Sequence, residues 1–349
     1  MRRTSGILLG LGLVLGAGCG DYSNGSLAED LAFLQAVPAL AALELRVAVT
    51  SPRELDLVTG EAGLGARGQE LLGEPAGYLG LARAVAAGVD RDVLGLLRQA
   101  EWLVRALPAN ARSAERRVWG PWPSDLPGVD MRLWLARAGQ DRFGFHLQLR
   151  PEALRSSLGF DEGWSECLSG DLVPAPDALR RGRGSLIRDL TACSQATGSA
   201  ERGLAGVAFD TRPDGDDPEG KTEVQVLFAG FLPAEELARG QDAHALDALY
   251  TYLERSDRSG ALGLVAWTDL DLGEPLRPAR ERVALEARWD GAGAGQVTGQ
   301  ASGGDLGAQS LELLECWDEA QARLHYHDSL GLRPTEGEPS ACGAPPTGS

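Results

Sequence analysis

The chain has 349 residues and is acidic, with 50 Asp and Glu against 33 Lys and Arg and a formal net charge of −17 at pH 7. That balance provides no electrostatic footprint for nucleic acid and no attraction to anionic headgroups, so neither a nucleic-acid partner nor charge-driven adsorption to a membrane is expected. Its length is sufficient for a large core or for two domains.

Residues 1–19 read as an export signal. Met1-Arg2-Arg3 is followed by an apolar run from Gly6 to Leu15 and then by Gly16-Ala17-Gly18-Cys19. A basic start, about ten apolar residues and a small-residue exit fit a signal peptide and are too short for a spanning helix. Ala17-Gly18-Cys19 resembles the end of the lipobox of bacterial lipoproteins, in which the cysteine is lipidated, although Gly16 stands where that family prefers Leu. The resemblance implies that Cys19 carries a lipid anchor and that the protein is exported and held in the cell envelope. Gly20, rather than Asp, follows the cysteine, and by the same resemblance this implies the outer membrane. Cysteine arithmetic agrees: Cys19, Cys167, Cys193, Cys316 and Cys342 are an odd set, and lipidating Cys19 leaves four for disulfides in an oxidising compartment. Without residues 1–19 the balance is 31 basic to 50 acidic residues, net −19. Membrane attachment would then rest on the lipid, and a multiply acylated cysteine suffices.

A short tether, residues 20–26, spans at most ~25 Å when extended. Residues 27–117 form a helical N-terminal region. Ser26-Leu27-Ala28-Glu29 has the capping-box pattern and opens a helix with Leu27, Leu31 and Leu34 on one side, ended or kinked by Pro38. One or two short strands are expected within 45–58. Leu71, Tyr78, Leu79, Ala82 and Val85 predict a second helix. Asp90 caps a third, striped by Val93, Leu97, Ala100, Val104 and Leu107. Pro108 to Arg117 reads as a polar exit and Trp119-Gly120-Pro121-Trp122-Pro123 as a rigid boundary.

From 118 to 328 the period changes to two. Val129, Met131, Leu133 and Leu135 alternate with polar residues, and after a short Gly turn Phe143, Phe145, Leu147 and Leu149 repeat the pattern, which predicts a hairpin. Further strands are expected at 164–172, 184–193, 203–211, 222–231, 249–255, 260–271, 281–290, 295–302, 310–317 and 322–327. The predicted class is α+β, mainly β: N-terminal helices packed on a large curved antiparallel sheet, half-barrel or barrel-like. Residues 329–349 form a coil tail. Of the three pairings open to four cysteines, Cys167 with Cys193 and Cys316 with Cys342 is favoured, because the second pins the tail to a strand. The order of lipobox, helical first third, Trp-Gly-Pro-Trp boundary, β-rich repeats and late Glu315-Cys316-Trp317-Asp318 resembles a group of uncharacterised bacterial lipoproteins of unknown function. That resemblance supports the disulfide and domain reading and adds no catalytic residues.

Several groups of residues could carry chemistry, and each also has a plainer role. Asp210, Asp214, Asp216, Asp217 and Glu219 could supply oxygen ligands to Ca²⁺, but Lys221 stands where an EF-hand places its bidentate Glu, so a solvated loop is expected. His325 and His327 have a spacing that suits Zn²⁺ or Cu²⁺, with His146, His244 or a carboxylate on a neighbouring strand as third ligand, yet a polar strand face explains them. Glu166 with Asp171, or Asp269 with Asp271, could be drawn as acid and base; with so many acids such pairs arise by chance. No Gly-x-Ser-x-Gly elbow occurs, and Ser302-Gly303-Gly304-Asp305 lacks the following helix of a phosphate loop. Of the eight tryptophans, Trp119, Trp122, Trp134, Trp267 and Trp289 are expected mainly in the core, with stacking on a ligand as the alternative. No catalytic residue, metal or cofactor is assigned. The expected function is a lipid-anchored envelope protein without catalytic activity that binds or shields an apolar or amphipathic ligand. The alternatives are a structural or partner-binding lipoprotein with a fully packed sheet and, third, an enzyme of unknown class.

Overall fold

The computed structural model describes residues 24–37, 43–48, 72–91, 95–106, 108–159, 161–176, 180–213, 220–238, 245–268 and 279–343. Cys19 and its signal, residues 49–58, Leu71, Val93, Leu107, residues 214–219, His244, Asp269 and Asp271 lie outside them; residues 45–48, where the first of the strands within 45–58 is expected, form no strand.

Among the described residues, one antiparallel sheet takes up the chain from residue 111 onward. Its fourteen strands are β1 (Ala111–Arg112), β2 (Arg116–Pro123), β3 (Val129–Arg137), β4 (Phe143–Pro151), β5 (Ser165–Pro174), β6 (Gly182–Asp189), β7 (Arg202–Asp210), β8 (Thr222–Leu232), β9 (Leu246–Glu254), β10 (Gly260–Thr268), β11 (Glu281–Trp289), β12 (Gly295–Gly303), β13 (Ser310–Trp317) and β14 (Arg323–Asp328). Each pairs with its neighbours in sequence, so the sheet runs β1 to β14 in chain order. β1 and β14 do not pair with each other: the sheet is open, and the closed-barrel form of the expectation is not adopted.

Alternation of side chains explains why these segments are strands. On β10, Leu262, Leu264 and Ala266 are buried while Trp267 points the other way and is 45% exposed. On β4, Phe143, Phe145, Leu147 and Leu149 are all buried, as the period predicts. Turn chemistry fixes where strands stop. Between β11 and β12 the Asp290 carboxylate accepts from the Ala292 and Ala294 N–H groups at 2.9 and 3.1 Å, and Gly293 takes φ +95°, open to glycine at little cost.

Two departures from the predicted elements have local causes. The strand expected over 184–193 ends at Asp189, whose carboxylate accepts from Ala192 N (2.9 Å) and caps a helix, α4 (Leu190–Thr197), closed by left-handed Gly198. Cys193 therefore sits on a helix. Trp119 to Pro123, expected as a boundary, lies within β2, next to the sheet edge, where the missing N–H groups of Pro121 and Pro123 are tolerated. The opposite edge is covered too. Arg323 N donates to Glu74 O (2.8 Å), Tyr326 pairs with Glu336, and these segments leave β14 little free backbone.

Before the sheet come α1 (Asn24–Ala36), α2 (Gly77–Val89) and α3 (Gly95–Ala106). In α3 the predicted residues Leu97, Ala100 and Val104 are buried, joined by Leu103. In α2 Leu79 and Ala82 are buried, and Ala86 and Val89 continue the stripe. α1 is turned from its expected orientation: Leu31 is 47% exposed, and Phe33 and Ala36 are the buried residues. Phe33 meets the Phe143 ring edge-on at 5.1 Å, with the Arg117 guanidinium 4.6 Å above it. No helix among the described residues is long and apolar enough to cross a membrane.

Candidate functional site

The register of seven strand pairs lines up one residue per strand across the face that the core does not use. Ile187 on β6 lies opposite Gly206, which lies opposite Leu227, and the row continues through Leu249, Val265, Ala284, Gln300 and Glu312 on β13. Its larger apolar members are exposed: Ile187 by 52%, Leu227 by 56% and Leu249 by 40%. Over β9 to β13 the row passes through a depression of about 620 Å³. Small side chains make the space: Ala261, Gly263, Val265 and Ala284 form the floor, Leu249 and Thr251 stand on one side, and Gln300 and Glu312 on the other. Gly263 keeps the floor low: a Cβ there would lie 2.5 Å from the Thr251 hydroxyl oxygen and would have to turn that side chain aside. Glu286, beside Ala284, is ion-paired with Arg288 at 2.6 Å, whereas Glu312 makes no ion pair among the described residues. An apolar floor with a few polar groups at its margin is the usual composition of a small-molecule site.

The residues weighed from the sequence are mostly occupied by structural contacts. His325 is buried, its Nδ1 3.2 Å from Gly337 O, and His327 Nδ1 lies 3.1 Å from Thr335 Oγ1, so both rings hold the C-terminal tail. His146 lies on β4, ten strands along the sheet from β14, stacked on Trp134 at 3.8 Å with its Nδ1 2.8 Å from Glu166 Oε2. Asp171 accepts two hydrogen bonds from Arg142, at 3.1 and 2.7 Å, which separates it from any role with Glu166. Burial pushes the Asp210 carboxyl upward, but hydrogen bonds from the Arg212 side chain and backbone outweigh this and hold it below its ordinary range. Ser302-Gly303-Gly304-Asp305 leads into a single 3₁₀ turn, and Asp305 N donates to Glu281 Oε1 at 2.6 Å. No group of three His, Cys, Asp or Glu among the described residues is arranged to hold a metal ion.

Tryptophans divide between core and surface. Trp119, Trp289 and Trp317 are buried, and the Trp289 Nε1–H donates to Arg258 O at 2.8 Å. Trp134 and Trp267 lie on the face away from the core, so the expectation of core tryptophans does not extend to them. Trp164 lies 4.5 Å from the Arg132 guanidinium and 4.4 Å from that of Arg150, fastening the segment after β4 to the same outer face.

The structure brings both expected cysteine pairs together. Cys316 and Cys342 form a disulfide with Cα atoms 5.4 Å apart, pinning the tail to β13. Cys167 and Cys193 are a correction to the expected second bond: they are free thiols, both buried. Their mutual hydrogen bond, with burial behind it, pushes the Cys167 thiol far above its ordinary range.

Two features were missed from the sequence. Glu315, fully buried, accepts from the Gly77 and Tyr78 N–H groups at the start of α2 (3.0 and 2.7 Å) and from Arg323 Nε (2.7 Å). Asp90, expected to cap a helix after it, instead ends α2 and accepts from Leu45 N at 3.2 and 3.1 Å. Burial pushes its carboxyl up to about 7, consistent with a carboxylate at the negative end of a helix dipole.

No known protein family, curated protein or solved structure matches this chain.

Proposed function

We propose that this is a lipid-anchored cell-envelope protein, without catalytic activity, that binds an apolar or amphipathic ligand on the free face of its sheet. The single observation supporting the ligand is the depression over β9–β13, with its apolar floor and polar margin. The anchor rests on the Ala17-Gly18-Cys19 motif and on the outer-membrane signal read from Gly20. The other face is the one the N-terminal helices cover, in this reading: Phe33 meets Phe143 edge-on, Glu315 holds α2, and the segment 43–48 inserts Leu43, Leu45 and Val47 into the core. A half-barrel filled from within leaves its exterior groove for binding.

Native mass spectrometry of the chain purified from the membrane fraction in mild detergent tests this. Wild type is expected to retain an adduct of lipid mass that a groove-filling Ala284→Phe variant loses. A bare mass for both would favour the alternative, a structural or partner-binding lipoprotein, for which the exposed ridge of Ile187 and Leu227 is the supporting feature.

A further inference from the structure

The row across the free face is graded along its length. From β6 to β11 its members are Ile187, Gly206, Leu227, Leu249, Val265 and Ala284; from β12 to β13 they are Gln300 and Glu312. Seven inter-strand steps of about 4.8 Å make this track roughly 34 Å long, and the depression covers about 19 Å of it. One residue per strand also makes it narrow, since the next positions on the same face lie about 7 Å away along each strand. That parallel row is polar where it borders the depression, with Thr251, Glu286 and Thr298 around Gly263. A track with these dimensions suits one extended hydrocarbon chain laid across the strands, and it is too narrow for two side by side.

The polar end sets the headgroup. Glu312 stands at the margin of the depression, and the Glu286 charge is already matched by Arg288. Gln300 presents an amide that both donates and accepts. An acidic protein with a carboxylate here that makes no ion pair among the described residues repels an anionic head and attracts an ammonium. Resting on the ligand-binding reading above, we infer that the track binds a single-chain amphipath with a cationic headgroup, its chain over Ala284, Val265 and Leu249 towards Leu227 and its head against Glu312 and Gln300.

Isothermal titration calorimetry with dodecyltrimethylammonium and, separately, with uncharged dodecyl maltoside tests this on the intact chain, each below its critical micelle concentration. Three variants separate the causes. Ala284→Phe fills the track. Glu312→Gln removes the head's partner, and Glu115→Gln, on an exposed residue remote from the track, changes net charge equally. Circular dichroism confirms that each is folded. The cationic probe is expected to bind, to weaken about three- to fivefold in Glu312→Gln, as for an exposed ion pair, and to be unchanged in Glu115→Gln; Ala284→Phe abolishes binding of both probes. Equal weakening by the two Glu variants, with Ala284→Phe still abolishing binding, overturns the headgroup assignment and leaves the groove intact. Binding that survives Ala284→Phe, or no binding of either probe, overturns the groove reading itself.

Discussion

Arg323 on β14 and Glu315 on β13 form a diagonal ion pair excluded from water, Nε to Oε1 2.7 Å, and the same carboxylate receives the first two N–H groups of α2. One side chain thus neutralises a buried guanidinium and satisfies a helix N-terminus, which has no internal partners for those donors.

Removing it should be costly. Glu315→Ala leaves a buried Arg323 without its main counter-charge, and the expected loss in urea unfolding is about 3–5 kcal/mol. The double variant Glu315→Leu/Arg323→Met should lose clearly less than Glu315→Ala, since no charge is stranded. A loss below about 1 kcal/mol for Glu315→Ala would show that the pair is not holding the helix.

Asp90 makes stability pH-dependent. Its folded carboxyl titrates near 7, above the unfolded value of 3.8, so the folded state binds the extra proton between those limits. This contribution is fully present below about pH 4 and is lost as pH rises through about 7. Asp90→Asn keeps an acceptor for Leu45 N and has no charge to bury. It should raise the melting temperature at pH 8, change it little at or below pH 4, and flatten the profile between; an unchanged profile would rule out Asp90 as its source.

The cysteines give a counting experiment. Thiol titration of protein made under reducing conditions should find Cys167 and Cys193 inert until the chain is unfolded, because both are buried. Oxidation should join these two and no others, as read from a non-reducing peptide map. Cys342→Ser should destabilise the protein by roughly 3 kcal/mol in the chain-entropy account, given the 26-residue separation of its bond to Cys316.

Lipidation has a direct readout. Labelled palmitate should enter the wild-type chain in a bacterial host and not the Cys19→Ala variant, which should also leave the membrane fraction. Equal labelling of the two would remove Cys19 from the anchor.

Strand positions were legible because a half-buried strand writes its period of two directly into residue type. Met131, Leu133 and Leu135 against Asp130 and Arg132 leave little choice. The turn into α4 was legible in principle, from Asp189 as cap and Gly198 as stop, but the apolar Leu186, Ile187 and Leu190 read as a continuing strand. In α1 the leucines suggested a face that tertiary packing overrode in favour of Phe33, the bulkier side chain with an aromatic partner. The candidate site could not be read at all. Its members are spread over about 125 residues, from 187 to 312, and meet only through strand register, which no local pattern specifies.

The strict chain order of the strands bears on how the molecule assembles. Each strand docks on the one made just before it, so the sheet grows by closing short loops and never waits for a distant partner. Contacts of the helical region with the last strands are different: the grip of Glu315 on Gly77 spans 238 positions. α2 is synthesised early and acquires its N-terminal acceptor only once β13 is in place. A chain stopped before residue 310 would keep most of its strand pairing and leave that helix end unclaimed, so the late strand β13 is what secures the start of α2.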